Sequence, residues 1–224
     1  CSSPKRQGEL DVLIKTVADG RFSQTAIKDY PPGSTVEVMP PSGHFVLNPQ
    51  ADHVYVGFAA GSGITPVMGM IYATLEQSEQ ARFILFYGNS KTSDVLLHDQ
   101  IAELKDRFGA RFSVHYFLSR QRVDVPLYQG RFDQKKISNL FKYILQDIDV
   151  KGYYVCGPGP MIDTVCTSLA ALGIDEAIIH SERFLSDGQE ISLAEKTVTE
   201  DAGVTVTIDG ANHEFSLLAG AQAT

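Results

Sequence analysis

Residues 54–66 read VYVGFAAGSGITP, and this stretch constrains the fold most because an apolar strand empties there into glycines. Val54, Val56 and Phe58 predict a buried strand. In Gly61-Ser62-Gly63 the missing β-carbons let backbone N–H groups approach an anion such as a pyrophosphate. Thr65 is expected as an N-cap and Pro66 as the first helical residue, a place that needs no N–H partner. A helix opening there offers free amides and the positive end of its dipole. The spacing is G-x-G-x-x-P rather than G-x-G-x-x-G, so the turn alone also fits a strand-to-helix junction without a ligand.

Downstream of this turn the texture repeats. Strands are expected at Arg82–Tyr87, Phe112–Leu118, Tyr153–Cys156 and Ala177–His180. Between them run helical stripes: Val67, Ile71, Leu75; Leu97, Ile101, Leu104, Phe108; Ile137, Leu140, Phe141, Ile144; and Ile162, Val165, Leu169, Leu172. Such alternation implies an α/β doubly wound parallel five-stranded sheet, with ligands at the C-terminal ends of its strands. Before it, Leu10–Lys15 and Thr35–Met39 alternate loosely and read as strands, separated by turns at Asp19-Gly20 and Pro31-Pro32-Gly33. After it, a polar stretch reads as a linker. Val204–Ile208 and Asp209-Gly210 then read as a strand and the turn of a hairpin.

The net charge of −8 argues against a nucleic-acid or anionic-membrane surface, which needs a clustered basic stripe. No apolar run reaches the roughly 20 residues of a membrane helix. Cys1, Cys156 and Cys166 form no metal-ligand spacing and no even disulfide framework, which suits a reducing cytoplasm. Histidines 44, 53, 98, 115, 180 and 213 show no ligand spacing, and no Ser-His-Asp or Cys-His arrangement suggests a hydrolase. The chain opens on Cys-Ser-Ser-Pro, without Met or a signal-peptide pattern, and is expected to be part of something longer.

A second glycine-rich turn, Cys156-Gly157-Pro158-Gly159-Pro160-Met161, again ends a strand and opens a helix. Two such turns on neighbouring strands can hold two ends of one extended ligand. With GSGITP, Tyr87-Gly88-Asn89, CGPGPM and Glu182-Arg183-Phe184 in this order, the chain resembles the pyridine-nucleotide domain of the ferredoxin–NADP reductase superfamily. Its whole order resembles the reductase components of bacterial oxygenases. That resemblance implies the C-terminal part of an FAD-binding antiparallel β-barrel over residues 1–48 and an NAD(P)-binding domain over 49–185. It further implies a linker over 186–202 and the start of a β-grasp, ferredoxin-like [2Fe–2S] domain over 203–224.

The resemblance also assigns residues. Cys156 would lie beside the nicotinamide; Glu182, near the reacting atoms, and Phe184, over the flavin ring, would sit just past the last strand, where an aromatic stacks without titrating. Gly61, Ser62, Gly63, Thr65, Pro66, Tyr87, Gly88, Asn89, Gly157 and Pro158 would hold the nucleotide. Ser119 and Arg120, with Tyr128 and Arg131, suggest NADP rather than NAD. A 2′-phosphate suits a guanidinium fork and a hydroxyl, and an adenine suits an aromatic or arginine face. The strand end Tyr87-Gly88-Asn89 lacks the acidic residue that would accept from a ribose diol. Loop arginines are also often merely solvated, so NADH stays open.

For the flavin, Gly20-Arg21-Phe22-Ser23 resembles the family's pyrophosphate loop, and Leu13, Ile14 and Lys15 match a strand holding the adenine half. An ordinary hairpin turn at Gly20–Ser23 is the alternative. The family's R-x-Y-S element is absent, so this chain alone is expected to bind FAD poorly. Plant-type cluster ligation needs C-x₄-C-x₂-C and a distant fourth cysteine, which residues 203–224 lack. A [2Fe–2S] centre is therefore implied for a longer protein only. The resulting expectation is an FAD-dependent NAD(P)H reductase feeding electrons to an oxygenase, as in aromatic-compound degradation. The alternatives are a cluster-free reductase of the flavohemoprotein type, and a nucleotide-binding electron-transfer or regulatory subunit without hydride transfer of its own.

Overall fold

The computed structural model describes residues 1–6, 8–16, 20–40, 42–184, 202–208 and 211–217, with Arg21 and the last two segments by backbone alone. The chain divides into two compact units, Cys1–Leu185 and Ser186–Thr224.

In the first unit, five strands form one parallel sheet: β1 (Val54–Ala60), β2 (Arg82–Asn89), β3 (Phe112–Leu118), β4 (Val150–Gly157) and β5 (Ile179–Arg183). Their order across the sheet is β3-β2-β1-β4-β5. The chain thus winds outward from β1 in one direction, then crosses to β4 and winds outward in the other. β1 and β4 flank the switch point, where crossovers diverge and leave a crevice at the strands' C-terminal ends. The connecting helices are α2 (Ile64–Gln77), α3 (His98–Phe108), α4 (Gln134–Leu140) and α5 (Gly159–Ala171).

Period-2 alternation divides the core. Val56, Phe58, Ile84, Phe86, Phe117 and Val155 pack on one face with Ile137 and Leu140 of α4 and Ile162, Val165 and Leu169 of α5. Tyr55, Ala59, Phe83, Leu85, Tyr87, Tyr154 and Cys156 pack on the other with Ile64, Val67 and Ile71 of α2 and Ile101 and Leu104 of α3. Gly57 lets α2 settle on the sheet: a β-carbon there would stand 2.8 Å from Val67 Cγ1.

The expected helices and strands of residues 54–184 are all present, with shifted ends. The third stripe divides into α4 and a π-helical turn, Phe141–Leu145, whose Phe141 ring stacks on Tyr153. Asp175 accepts from the Ala177 N–H at 2.9 Å and closes a 3₁₀ turn over Glu176–Ile178, so β5 begins later than Ala177. Glu182 therefore lies within β5 rather than beyond it.

The N-terminal 47 residues differ more. Leu10–Lys15 and Thr35–Met39 form no strand, because no described strand offers either one a hydrogen-bonding edge. Gly20–Ser23 is not a hairpin turn: Gly20 is the N-cap of α1 (Arg21–Asp29), and its carbonyl accepts from Gln24 N–H at 3.1 Å. Ser23 and Ala26, three residues apart, form its buried face. The Asp19 half of the expected turn lies outside the described residues.

In the second unit, β6 (Ala202–Ile208) pairs antiparallel with β7 (Ala211–Leu217), from Ala202↔Leu217 to Ile208↔Ala211. This is the expected hairpin. Its turn, Asp209-Gly210, and most of the expected linker lie outside the described residues.

Candidate functional site

The two glycine turns meet at the switch point. After β1, Gly61–Gly63 form a 3₁₀ turn that runs directly into α2. Gly61 has φ +53°, a left-handed conformation that glycine adopts without a Cβ penalty. A β-carbon on Gly63 would fall 2.2 Å from the Cys156 carbonyl oxygen and 2.8 Å from Gly157 N, so the turns lie backbone against backbone. The helix opens earlier than the sequence suggests: Gly63, not Thr65, is its N-cap. The preceding 3₁₀ turn already supplies helical geometry, and the Thr65 hydroxyl donates back to Ser62 O at 3.0 Å. Pro66 is third in the helix, still within the turn whose N–H groups lack intrahelical partners.

Tyr87 braces this cradle from β2, its buried hydroxyl donating to Gly61 O at 3.0 Å. Burial pushes the phenol well above its usual range, so it stays a donor. Asn89 ends the same strand. Its Nδ2 is buried near the Tyr87 hydroxyl, with no hydrogen bond of proper geometry among the described residues. An unsatisfied donor at a strand's C-terminal end, beside a glycine cradle, fits a polyanionic or hydroxyl-rich ligand. Lys15 adds what sequence reading placed elsewhere. Its Nζ lies 3.9 Å from where a Gly61 β-carbon would be, so the ammonium stands over the cradle.

Across the sheet, Tyr116, Tyr87, Ala59, Cys156 and Glu182 occupy one rung. Residues on one rung point to one face, here that of α2. Cys156 is 0% exposed. Burial first, and then the nearby Glu182 carboxylate, pushes its thiol up to about 12. It is a neutral, unreactive sulfur rather than a nucleophile. Cys166 is half-buried and packs against the core on the other face of the sheet.

Glu182 and Phe184 line a cleft of about 280 Å³ together with Thr65 and Pro66 of α2 and Cys1, Asp11, Val12 and Leu13. Phe184 is 38% exposed at its rim. The structure thus unites Thr65, Pro66, Glu182 and Phe184, with Cys156 buried one strand away. The part of Cys1, Asp11 and Val12 had no local signal, since they reach the cleft only through the fold.

The loop after β3 is tied to the end of β2: Ser119 N–H donates to Asn89 O at 3.0 Å and Arg120 N–H to Ser90 O at 2.8 Å. Arg120 and Arg131 are exposed. Tyr128 is half-buried, with its hydroxyl 2.9 Å from His115 Nδ1 and its ring edge-on to Phe117. Among the predicted flavin residues, Ser23 is buried while Phe22 and Ile14 are exposed; the Arg21 side chain lies outside the described residues.

Residues 1–47 match the oxidoreductase FAD-binding domain family and residues 58–167 the oxidoreductase NAD-binding domain family. One of the subunits of 1,2-phenylacetyl-CoA epoxidase from Escherichia coli is 35% identical over 94% of this chain and 60% of its own length. The ferredoxin reductase component of 3-ketosteroid-9-alpha-monooxygenase from Rhodococcus rhodochrous is 30% identical over 96% of this chain and 60% of its own. The chain therefore spans about three-fifths of the length of these curated relatives. Among solved structures, the cytochrome b5 reductase domain of Ulva prolifera nitrate reductase aligns with a TM-score of 0.60 at 26% identity, covering 74% of this chain and 64% of that one. With matches to both an oxidoreductase FAD-binding and an oxidoreductase NAD-binding domain, opposed glycine turns and this sheet order, the chain is similar to FAD- and NAD-binding oxidoreductases of the ferredoxin–NADP reductase type.

Proposed function

We propose that this chain is the flavin- and nucleotide-binding part of an NAD(P)H reductase that passes electrons to an oxygenase. The observation that carries this reading is the joining of the two glycine turns beside a cleft lined by Glu182 and Phe184. Residues 1–48 then belong to the flavin domain, 49–185 to the nucleotide domain, and 203–224 to the start of a ferredoxin-like domain. When bound, FAD and a nicotinamide nucleotide would supply hydride transfer from nicotinamide C4 to flavin N5 and single-electron release toward an implied [2Fe–2S] centre, for which residues 203–224 hold no ligating cysteines.

The chain's own residues bind, orient and exclude water. Gly61, Ser62, Gly63, Gly157 and Pro158 present backbone to the nucleotide diphosphate, with the Lys15 ammonium over it and Asn89 Nδ2 available to donate. Phe184 shields the reacting faces of the rings. Cys156, neutral at any physiological pH, contributes shape rather than charge, while Glu182 lines the cleft near the reacting atoms. Ser119, Arg120 and Arg131 read a 2′-phosphate, and Tyr128 offers a face to adenine. The expected acceptor, by likeness to the epoxidase and monooxygenase relatives, is an oxygenase component.

The test is anaerobic mixing of the intact, FAD-loaded protein with NADPH. Loss of the oxidised-flavin absorbance supports the reading. Bound flavin that neither NADPH nor NADH bleaches would favour a non-catalytic nucleotide-binding subunit. Cys156→Ala should leave nucleotide affinity near its original value and slow bleaching, since an alignment effect appears in the rate. Alanine is preferable to serine at this site, where a buried hydroxyl would need a partner.

A further inference from the structure

Gln129 is bound through every polar group it has. Its Nε2 donates to Leu118 O at 3.1 Å, and its Oε1 accepts from Val123 N–H at 3.1 Å. Its own N–H donates to Pro126 O at 3.2 Å. Its carbonyl accepts from Lys136 Nζ at 2.9 Å. Leu118 O receives a second bond from Gly130 N–H at 2.9 Å, and Gly130, with φ +91°, turns the chain sharply at that point. These bonds close the neck of the loop over residues 119–128.

Lys136 is the unexpected member. It sits in the first turn of α4 and is only 9% exposed. A buried ammonium aimed at one main-chain carbonyl makes a charge-assisted bond, roughly twice as strong as a neutral one. Asp133 Oδ2 stands 4.0 Å from it, and Asp133 Oδ1 caps the helix by accepting from Lys136 N–H at 2.7 Å. The loop thus hangs from a helix terminus on one side and from β3 on the other. Gln121 adds a further tie, its Oε1 accepting from Thr92 N–H at 2.8 Å. The loop presents two exposed arginines outward, with the exposed Asp124 beside Arg122. Arg120 and Arg122 are exposed, as is Arg131 just beyond, and none takes part in the ion pairs that hold Arg6, Arg107 and Arg183 among the described residues.

We propose that Gln129, anchored by the buried Lys136, is a positioning residue for nucleotide discrimination. It fixes the neck of the 119–128 loop, so that Arg120 is offered to a 2′-phosphate from a rigid backbone. The proposal rests on the nucleotide-binding reading above but concerns residues that touch no ligand. Without the clamp the loop keeps its charges and loses their placement, so affinity for a 2′-phosphate falls while affinity for the shared part of the nucleotide holds.

The test is calorimetric titration of the full chain with 2′,5′-ADP and with 5′-AMP, which differ by the 2′-phosphate and need neither flavin nor turnover. Gln129→Met, near-isosteric and without hydrogen bonds, should lower the ratio of the two affinities about tenfold, the scale of one or two lost hydrogen bonds. Lys136→Met should lower it by a smaller factor, and Lys136→Arg, which can still donate to the Gln129 carbonyl, should restore it. Amide exchange at Val123 and Gly130 should rise in Gln129→Met while β2 stays protected. A folded Gln129→Met protein with the original ratio overturns the clamp; if that variant does not fold, an unchanged ratio in Lys136→Met overturns it. Arg120→Ala separates the two ideas. A ratio that survives Arg120→Ala sinks the 2′-phosphate reading and the clamp with it. A ratio lost in Arg120→Ala but kept in Gln129→Met sinks the clamp alone.

Discussion

Residues 10–15 and 35–39 are at least as rich in β-branched residues as β1, yet only β1 is a strand. β1 hydrogen-bonds to β2 on one side and β4 on the other, and Val56 and Phe58 are fully buried. Val12 is 77% and Met39 88% exposed, with no described strand beside them. The difference teaches that β-propensity here is a capacity to fill a pleated, half-buried surface, realised only where a neighbouring edge supplies a ladder. The N-terminal segment nevertheless reaches the sheet and its cleft: Leu47 joins the core, the Phe45 ring lies edge-on to Tyr154, Leu13 lines the cleft, and Lys15 stands over Gly61.

The comparison breaks first at its two extremes. Phe58 packs against Phe86 and Phe132 with ring centroids at 5.0 and 5.6 Å. Phe58→Ala should cost about 3–5 kcal/mol, and Met39→Ala should stay within about 0.5 kcal/mol. Paired urea unfolding curves measure both; similar losses would mean that the N-terminal segment is as well packed as the sheet. Next comes Gly63→Ala. Its β-carbon would meet the Cys156 carbonyl at 2.2 Å, and neither backbone can swing aside. The loss should be about 3 kcal/mol, the upper end of overpacking costs. That corresponds to a melting point lower by about 6–12 °C, read by calorimetry. An unshifted melting point would show that the two turns are not locked together.

Tyr87→Phe removes the bond to Gly61 O at 3.0 Å and the weaker one to Leu96 O at 3.5 Å, and should cost about 1 kcal/mol. It should also weaken nucleotide binding, because the cradle loses its brace; unchanged affinity in calorimetric titration would leave Tyr87 a packing residue. The mildest test compares thiols. Cys1 is partly exposed, whereas Cys156 is buried with its thiol pushed up to about 12. A thiol reagent at mildly alkaline pH should label Cys1 in the native protein and Cys156 only after unfolding. The linkage has a definite sign. The unfolded Cys156 releases its proton near the ordinary thiol value of 9.0, and the folded one holds it to about 12. Its contribution to stability is therefore complete below pH 9 and lost as pH rises toward 12. Rapid labelling of Cys156 in the folded protein would contradict its burial.

Much of this molecule was legible locally. The stripe Val67, Ile71, Leu75 and the run Arg82–Tyr87 read directly as α2 and β2, because helix and strand periods of 3.6 and 2 follow from which face is buried. The glycines of GSGITP and CGPGPM announced sharp turns at strand ends for an equally local reason, the absence of a β-carbon. The helix start was misjudged at Thr65 because a 3₁₀ turn had already supplied helical geometry, and β5 was misplaced because the Asp175 cap holds residues 176–178 in a turn. Register and contact lay beyond the sequence. That Cys156 shares a rung with Glu182, that Gly63 rests on the Cys156 carbonyl and that Lys15 stands over Gly61 all depend on how segments far apart in the chain pack. That packing is decided by the burial of two apolar faces and by the edges available for hydrogen bonding, quantities that no single segment carries. The sequence alone determined the alternation of elements and where the backbone would be bare; tertiary structure decided which bare backbones would meet, because only a closed core brings them within bonding distance.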